Sequence, residues 1–332
     1  MRQINANSFA GALLGCAVGD AIGFALQFKY PTEKVTAKSL DKFDYFPAYG
    51  YPPGQYTDDT QMTLAIVEAI IEDGEITGDG VARKFIHLWQ NEDVVDRGIS
   101  CDDAVKALMR GSDWLHSGTE DGRAGNGTAM RAAPVGLWNY DDIGKLVRDS
   151  ETQSVITHKD KRCAVGSMLV AAAVADNIRR GSLNQSDFLG LLLPLCSREG
   201  GDDYVRCLGR MKELLQMPEQ DALHIIARAG QEEAFDRDEI TPFVVPTVLV
   251  SLYAFLKQPH DFLGALAIVY RARGDIDTTG AITGAISGAL LGTDGIPSRL
   301  SCGVMDNARI TALGYKLHET KMAAPPGAAR PL

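Results

Sequence analysis

The apolar positions of this chain follow a helical period over most of its length. They recur at three- and four-residue spacing, whereas the alternation typical of half-buried strands is scarce. The pattern therefore predicts an all-α protein. The predicted helices cover residues 8–28, 59–72, 78–91, 102–115, 128–138, 143–156, 161–180, 203–215, 220–228, 244–256, 261–273, 279–291 and 308–319.

Breaker residues mark the connections between these helices. The longest predicted loop, residues 30–56, contains four prolines, and residues 113–127 are rich in Gly, Ser and Asp. No Pro/Gly/Ser-rich linker or long charge run divides the chain, so we predict one compact multi-helix domain over residues 1–321. Residues 322–332 contain three prolines without periodicity and are predicted to form a disordered tail.

Composition favours a folded globular protein and excludes several classes. The chain has 332 residues, of which 45% are hydrophobic and 23% charged. Its net charge of −10 argues against binding to nucleic-acid backbones, which requires clustered Lys and Arg. Six scattered cysteines without a CxxC pair indicate neither a disulfide scaffold nor a thiolate zinc site. A reducing cytoplasm is the expected location.

The first residues do not have the pattern of a secretory signal, because a basic segment, an apolar segment and a cleavage site do not follow one another. Residues 9–28 are apolar over a length that could span a bilayer. However, Asp20 lies in the middle of this run, and a charge at that depth is costly in lipid. We therefore expect no membrane association.

Two predicted helices carry a glycine at every fourth position. Such spacing gives one helix face almost no side-chain volume, and each glycine costs roughly 1 kcal/mol relative to alanine. Close packing against a neighbour explains the pattern, and the same helices could also bring acidic residues at their ends together. The glycines are Gly11, Gly15, Gly19 and Gly23, and Gly280, Gly284, Gly288 and Gly292.

Two helix starts carry paired acidic residues next to threonines. Residues 56–60 read Tyr-Thr-Asp-Asp-Thr, and residues 274–279 read Gly-Asp-Ile-Asp-Thr-Thr. Helix capping alone explains either segment, since Thr and Asp are preferred caps. If the two segments met, however, four carboxylates would repel one another unless they bound a cation or were protonated. An all-oxygen set suits Mg²⁺ or Mn²⁺, and two ions could share it.

A glycine-rich turn precedes another predicted helix. Residues 125–131 read Gly-Asn-Gly-Thr-Ala-Met-Arg, and backbone N–H groups in such a turn suit phosphate oxygens. A plain turn before a helix explains the sequence equally well. It lacks the spacing of a Walker A loop or a dinucleotide-binding GxGxxG, and GxSxG and HExxH motifs are absent from the chain.

Together these motifs resemble those of the ADP-ribosylglycohydrolases, in the family's order and over nearly the whole chain. The acidic pairs are the most specific part of the resemblance. The motifs that carry it are Gly19-Asp20-Ala21-Ile22-Gly23, Tyr56-Thr57-Asp58-Asp59-Thr60, Gly125-Asn126-Gly127 with Arg131 and Pro134, Thr157-His158 with Ala164 and Gly166, and Gly274-Asp275-Ile276-Asp277-Thr278.

The resemblance implies an all-α fold around a central cleft that holds two Mg²⁺ or Mn²⁺ ions. It implies hydrolysis of the glycosidic bond between ADP-ribose and a protein side chain. The implied metal ligands are Thr57, Asp58, Asp59, Asp275, Asp277 and Thr278. The implied substrate-binding residues are Gln27, Gly98, Ser100, Gly125, Asn126, Gly127, Thr128 and His158, although a lone His on a helix is more often a packing residue.

Cleavage at the anomeric carbon passes through an oxocarbenium-like state, which needs an activated water and a protonated leaving group. A carboxylate beside the metals could move the proton. Asp59 is the first candidate for this catalytic role, and Asp96 is the second.

One position departs from the family pattern. Many bacterial members carry Glu seven residues after the Asp of Gly-Asp-Ala-x-Gly, whereas this chain has Gln27. An amide offers an oxygen but cannot take up a proton as a carboxylate does. The change could alter metal affinity, leave the base role to Asp59, or mark a domain that binds without turnover.

Aromatic residues crowd the loop before the first acidic motif. They could stack on adenine or hold a target protein, or they could fill a satellite core beneath the loop. These residues are Tyr30, Phe43, Tyr45, Phe46, Tyr49, Tyr51 and Tyr56.

The leading hypothesis is a Mg²⁺- or Mn²⁺-dependent hydrolase that removes ADP-ribose from modified proteins, foremost from arginine. A second is an immunity-type module that binds ADP-ribose, a modified target or an ADP-ribosyltransferase without turnover. A third is a dinuclear metal phosphoesterase, since metal-bound carboxylates also serve phosphoryl chemistry.

Overall fold

The computed structural model describes residues 4–27, 31–231 and 238–324. Their regular structure is helical and their β-bridges are isolated, which confirms the all-α prediction. The helices are α1 (Ala6–Leu26), α2 (Ala37–Asp41), α3 (Asp58–Asp73), α4 (Gly78–Asn91), α5 (Ile99–Met109), α6 (Gly127–Met130), α7 (Ala133–Trp138), α8 (Ile143–Val155), α9 (Lys161–Arg180), α10 (Gln185–Leu192), α11 (Asp202–Leu208), α12 (Met211–Leu214), α13 (Glu219–Ala227), α14 (Val244–Lys257), α15 (Phe262–Arg271), α16 (Ile276–Leu291), α17 (Ser298–Gly303) and α18 (Asn307–Ala323).

Several boundaries differ from the sequence prediction. The predicted helix 128–138 is two helices, α6 and α7, because Pro134 has no N–H to donate to the carbonyl of Met130 and therefore cannot continue α6. The predicted helix 203–215 is likewise divided into α11 and α12. The short helices α2, α10 and α17 had no predicted counterpart.

The final helix crosses the predicted end of the domain. We placed that boundary after residue 321, but α18 continues to Ala323. Residues 325–332 of the predicted tail lie outside the described residues.

The glycine faces of α1 and α16 pack against each other in antiparallel orientation. A Cβ added to Gly19 would lie 2.0 Å from the carbonyl oxygen of Gly280, and one added to Gly284 would lie 2.0 Å from that of Gly15. Only glycine permits such backbone contact. As a result, the C-terminal end of α1 lies beside the N-terminal start of α16.

Asp20, on α1, fixes the start of α3 at the same place. Its carboxylate is fully buried and accepts hydrogen bonds from the backbone N–H groups of Thr57 and Thr60, at 3.0 and 3.1 Å. It also accepts from both threonine hydroxyls, at 2.9 and 2.6 Å. Three helix ends therefore meet, which brings both acidic motifs together.

Helix α1 lies in the interior of the molecule. By length and composition it could cross a membrane, but the apolar window that passes this test is 100% buried. It belongs to one large apolar cluster that extends from Phe9 to Leu317.

The aromatic loop contributes mainly to packing. Phe43, Phe46 and Tyr51 pack against a smaller buried cluster that contains Phe24 and Val95. This is the satellite core that the sequence left open. Tyr30 lies outside the described residues.

Candidate active site

A cavity of ≈ 380 Å³ opens where the ends of α1, α3 and α16 meet the loops 96–101 and 125–127. Every predicted site residue lines it except Thr57 and Thr128. Its lining residues are Gln27, Asp58, Asp59, Asp96, Arg97, Gly98, Ile99, Ser100, Cys101, Gly125, Asn126, Gly127, Met130, His158, Pro242, Asp275, Asp277 and Thr278.

Carboxylates from the two acidic motifs form the floor of the cavity. Asp58, Asp59 and Asp277 are almost fully buried, at 4%, 2% and 4% exposure, and Asp275 is half-buried. The hydroxyl of Thr278 donates to Oδ2 of Asp59 across the two motifs, at 3.3 Å.

The negative charge of these carboxylates is not balanced by positively charged side chains in the cavity lining. Burial, followed by repulsion from neighbouring carboxylates, raises the pKa of both Asp59 and Asp277 well above the ordinary value. The nearest guanidinium in the lining, Arg97, faces Asp102 instead, at 3.7 Å. Oδ1 of Asp59 is buried and has no hydrogen-bond partner among the described residues. Such a cluster requires protons or a cation.

The donor chemistry fits a hard divalent cation. The floor offers carboxylate and hydroxyl oxygens, which Mg²⁺ and Mn²⁺ prefer as ligands. Among residues 4–27, 31–231 and 238–324, no three His, Cys, Asp or Glu side chains form a group that could hold an ion by themselves. The fit therefore rests on charge, on the unpartnered Oδ1 of Asp59 and on the contribution of Thr278, not on a preformed cage.

Gln27 extends from the end of α1 to the carboxylate floor. In the amide orientation that satisfies both groups, its nitrogen donates to Oδ1 and Oδ2 of Asp277, at 3.2 and 3.1 Å. The residue that departs from the family pattern is therefore a hydrogen-bond donor to this acidic motif.

Two predicted contact residues face protein groups. Asn126 donates to Oδ2 of Asp275 at 2.6 Å and to Thr247 at 3.2 Å, so its amide orients a floor carboxylate. The hydroxyl of Thr128 donates to the carbonyl of Cys163 at 2.7 Å, away from the cavity. Thr57 lies behind the floor, where its hydroxyl contacts Asp20 and Asp59.

The opposite wall is formed by residues 96–101. Gln61 anchors the preceding segment through hydrogen bonds to the backbone of Asp93 and Val95, and the N–H of Gly98 donates to Asp58 at 3.1 Å. Asp96 has a left-handed φ of +53°. Its carboxylate makes no hydrogen bond or ion pair with the described residues. Burial, with repulsion from Asp275, raises the pKa of Asp96.

His158 lies at the other end of the cavity, beneath the glycine turn. Its side chain is 3% exposed, and its Nδ1 lies 2.9 Å from the hydroxyl of Thr157. Burial, followed by repulsion from Arg131, lowers the pKa of His158 to about 3. The imidazole is therefore neutral at physiological pH.

Sequence reasoning assigned no role to several residues of this site. Asp20 appeared only within a motif, although a lone carboxylate in a glycine-faced apolar helix is itself a signal of a buried polar contact. The other lining residues that were not among the predicted site residues are Arg97, Ile99, Cys101, Met130 and Pro242, of which Arg97, Ile99 and Cys101 stand next to predicted ones in the sequence.

A match to a family model places this chain, with its helical fold and carboxylate-floored cavity, among the glycosidic-bond hydrolases. Residues 1–326 match the family model of ADP-ribosylglycohydrolase, and the chain belongs to the ADP-ribosylglycohydrolase family.

Characterised relatives span most of the chain. It is 26% identical to ADP-ribosylarginine hydrolase Tri1 of Serratia proteamaculans, over 92% of this chain and 78% of that protein. It is 27% identical to ADP-ribosyl-[dinitrogen reductase] glycohydrolase of Rhodospirillum rubrum, over 87% of each. A solved structure titled ADP-ribosylglycohydrolase-related protein complex matches with a TM-score of 0.73 and 23% identity, over 96% of this chain and 99% of that chain, and shows the same fold.

Proposed function

We propose that this protein is a divalent-metal-dependent hydrolase that removes ADP-ribose from arginine side chains of modified proteins. The observation that carries this proposal is the buried carboxylate floor, in which Asp59 keeps an oxygen without a partner. The arginine linkage is supported by the relative from Serratia proteamaculans, which is an ADP-ribosylarginine hydrolase. Two Mg²⁺ or Mn²⁺ ions are the proposed cofactors.

The residues suited to hold these ions are Asp58, Asp59, Asp275, Asp277 and Thr278, with Thr57 orienting Asp59 from behind. When bound, such ions hold hydroxyl groups of a sugar in place and lower the pKa of water. The positive charge of such ions would offset the repulsion between neighbouring carboxylates, which contributes to the raised pKa of Asp59 and Asp277.

The protein supplies proton transfer from two walls of the cavity. Asp59 has a free Oδ1 and is the proposed base toward the attacking water. The carboxylate of Asp96, on the opposite wall, makes no hydrogen bond within the described residues and is the second candidate for this proton transfer. Hydrolysis then releases free ADP-ribose and the unmodified side chain.

The deciding experiment is mass spectrometry of products after incubation with an arginine-modified protein, with and without chelator. We expect free ADP-ribose only with Mg²⁺ or Mn²⁺, and a loss of at least about a hundredfold in Asp277→Asn. The exposed Asp121→Asn is the matched control and should retain activity. Release of AMP or phosphate would select the phosphoesterase, and turnover in excess chelator would refute the metal requirement.

A second candidate is a binding module for ADP-ribosylated proteins or for an ADP-ribosyltransferase. Gln27 favours it, because an amide that donates to Asp277 cannot act as a carboxylate ligand or base. Tight ADP-ribose binding that survives chelation, without product release, would select this function over hydrolysis.

We place the activity in the cytoplasm. All six cysteines are unpaired thiols and five of them are buried, which is compatible with a reducing compartment.

A further inference from the structure

Three buried polar side chains are linked by hydrogen bonds from the protein core to the wall of the cavity. Arg131 and Thr157 are fully buried, and His158 is 3% exposed. Nη2 of Arg131 donates to Oγ1 of Thr157 at 2.7 Å, and this oxygen lies 2.9 Å from Nδ1 of His158. No step of the proposed hydrolysis uses Arg131 or Thr157.

The positions of the protons follow from this arrangement. A guanidinium can only donate, so Oγ1 of Thr157 accepts from Arg131. The single hydroxyl proton of Thr157 then has Nδ1 of His158 as its acceptor. If Nδ1 carried a proton instead, the buried hydroxyl proton would have no acceptor among the described residues, which is unfavourable. Nδ1 is therefore unprotonated, and the neutral ring carries its proton on Nε2.

The Nε2 edge of the ring lies beneath the glycine turn. A Cβ added to Gly125 would lie 2.9 Å from Nε2, and one added to Gly127 would lie 3.0 Å from Cε1. His158 lines the cavity, and no described group accepts a hydrogen bond from Nε2. Water or a ligand in the cavity can supply this acceptor.

Arg131 also holds the turn itself. Nη1 donates to the carbonyl of Gly127 at 2.8 Å, while Nε and Nη2 donate to Gln153 at 2.8 and 2.9 Å. One guanidinium therefore fixes both the imidazole and the glycine turn above it.

We propose that Arg131 and Thr157 are positioning residues that hold His158 in its Nε2–H tautomer, so that it donates a hydrogen bond to a phosphoryl oxygen of the ADP-ribose group. The tautomer follows from protein contacts alone. The identity of the acceptor rests on the proposed function, because the diphosphate is the part of that substrate richest in acceptor oxygens.

The test begins with the unmodified protein. Long-range ¹H–¹⁵N correlation spectra of the imidazole nitrogens should show His158 with a protonated Nε2 and an unprotonated Nδ1 from pH 5 to pH 8. A protonated Nδ1 in the wild-type protein would overturn the proposal, and this measurement requires no variant to fold.

Two variants then separate positioning from general structural effects. Thr157→Val removes the hydroxyl at nearly constant volume, and Thr157→Ser retains it. We expect Thr157→Val to lose the single tautomer and to weaken ADP-ribose binding about tenfold by calorimetry, and Thr157→Ser to stay within about twofold. In a His158→Gln background, Thr157→Val should cause no further loss.

The outcomes distinguish this inference from the proposed function. If Thr157→Val keeps both the tautomer and the affinity, the positioning role is refuted. If the tautomer is as stated but wild-type protein binds no ADP-ribose, the phosphoryl acceptor and the proposed function both fail. If ADP-ribose binds equally well with and without His158, the acceptor assignment alone fails.

Discussion

Carboxylates of the same chemical type have opposite roles in this molecule, depending on how many donors face them. Asp20 accepts from four donors of Thr57 and Thr60 and is a structural anchor. Asp59 keeps Oδ1 unpartnered and is available for chemistry. Such differences follow from the donors that each site provides, because both residues are equally buried.

Asp149 provides a residue-scale test away from the cavity. Burial raises its pKa to about 6, although Asn139 donates to its Oδ2 at 2.8 Å. The folded state therefore binds a proton more tightly than the unfolded state, and this contribution to stability decreases as pH rises from 3.8 to about 6. Asp149→Asn removes the charge, and its amide can donate to the unpartnered Oδ1 of Asn139.

We expect Asp149→Asn to gain about 2 kcal/mol more unfolding free energy at pH 8 than at pH 4.5, measured by urea unfolding. The exposed Asp121→Asn is the control for the substitution itself. An equal gain at both pH values would show that the buried carboxyl has an ordinary pKa.

At the scale of elements, the pairing of α1 with α16 determines the site. The two helices approach until backbone meets backbone, which places the acidic segment of α16 beside the end of α1. Asp20 of α1 fixes the start of α3, and with it the other acidic segment, at the same place. Glycine lowers the helical propensity of both segments, so their stability comes from the contact between them.

Gly284→Ala tests this pairing against a matched glycine. The new Cβ would lie 2.0 Å from the carbonyl oxygen of Gly15, so we expect a loss of at least about 3 kcal/mol or failure to fold. Gly190, on α10, has nothing within 4 Å of an added Cβ, and Gly190→Ala should stabilise by up to about 1 kcal/mol. The measurement is the melting temperature of each variant by thermal unfolding. Similar melting temperatures for the two variants would show that the helices can separate at little cost.

At the scale of the whole molecule, the two ends of the chain form one body. Helix α1 packs on both α16 and α18, and the principal apolar cluster includes residues from α1 to α18. This explains why no domain boundary was visible in the sequence. It also means that the cavity depends on contacts between distant parts of the chain.

A fragment that contains only the N-terminal part of the chain should therefore fail to fold. A fragment of residues 1–231 lacks α16 and exposes the glycine face of α1. We expect it to show no cooperative thermal transition by near-ultraviolet circular dichroism, and we expect co-expression with residues 238–332 to restore one. A cooperative transition of the isolated fragment would contradict this account.

The sequence by itself determined the helical class, the two glycine faces and the acidic helix starts, because these depend on local spacing. It did not reveal the division at Pro134 into α6 and α7, nor that Thr128 faces Cys163 while Asn126 faces Asp275. These features depend on which groups the folded chain places within hydrogen-bond distance of each residue. Tertiary packing brings Asp59 and Thr278, 219 positions apart, into one cavity and joins Arg131 to Thr157, because hydrogen-bond partners across a core leave no periodic trace in the sequence.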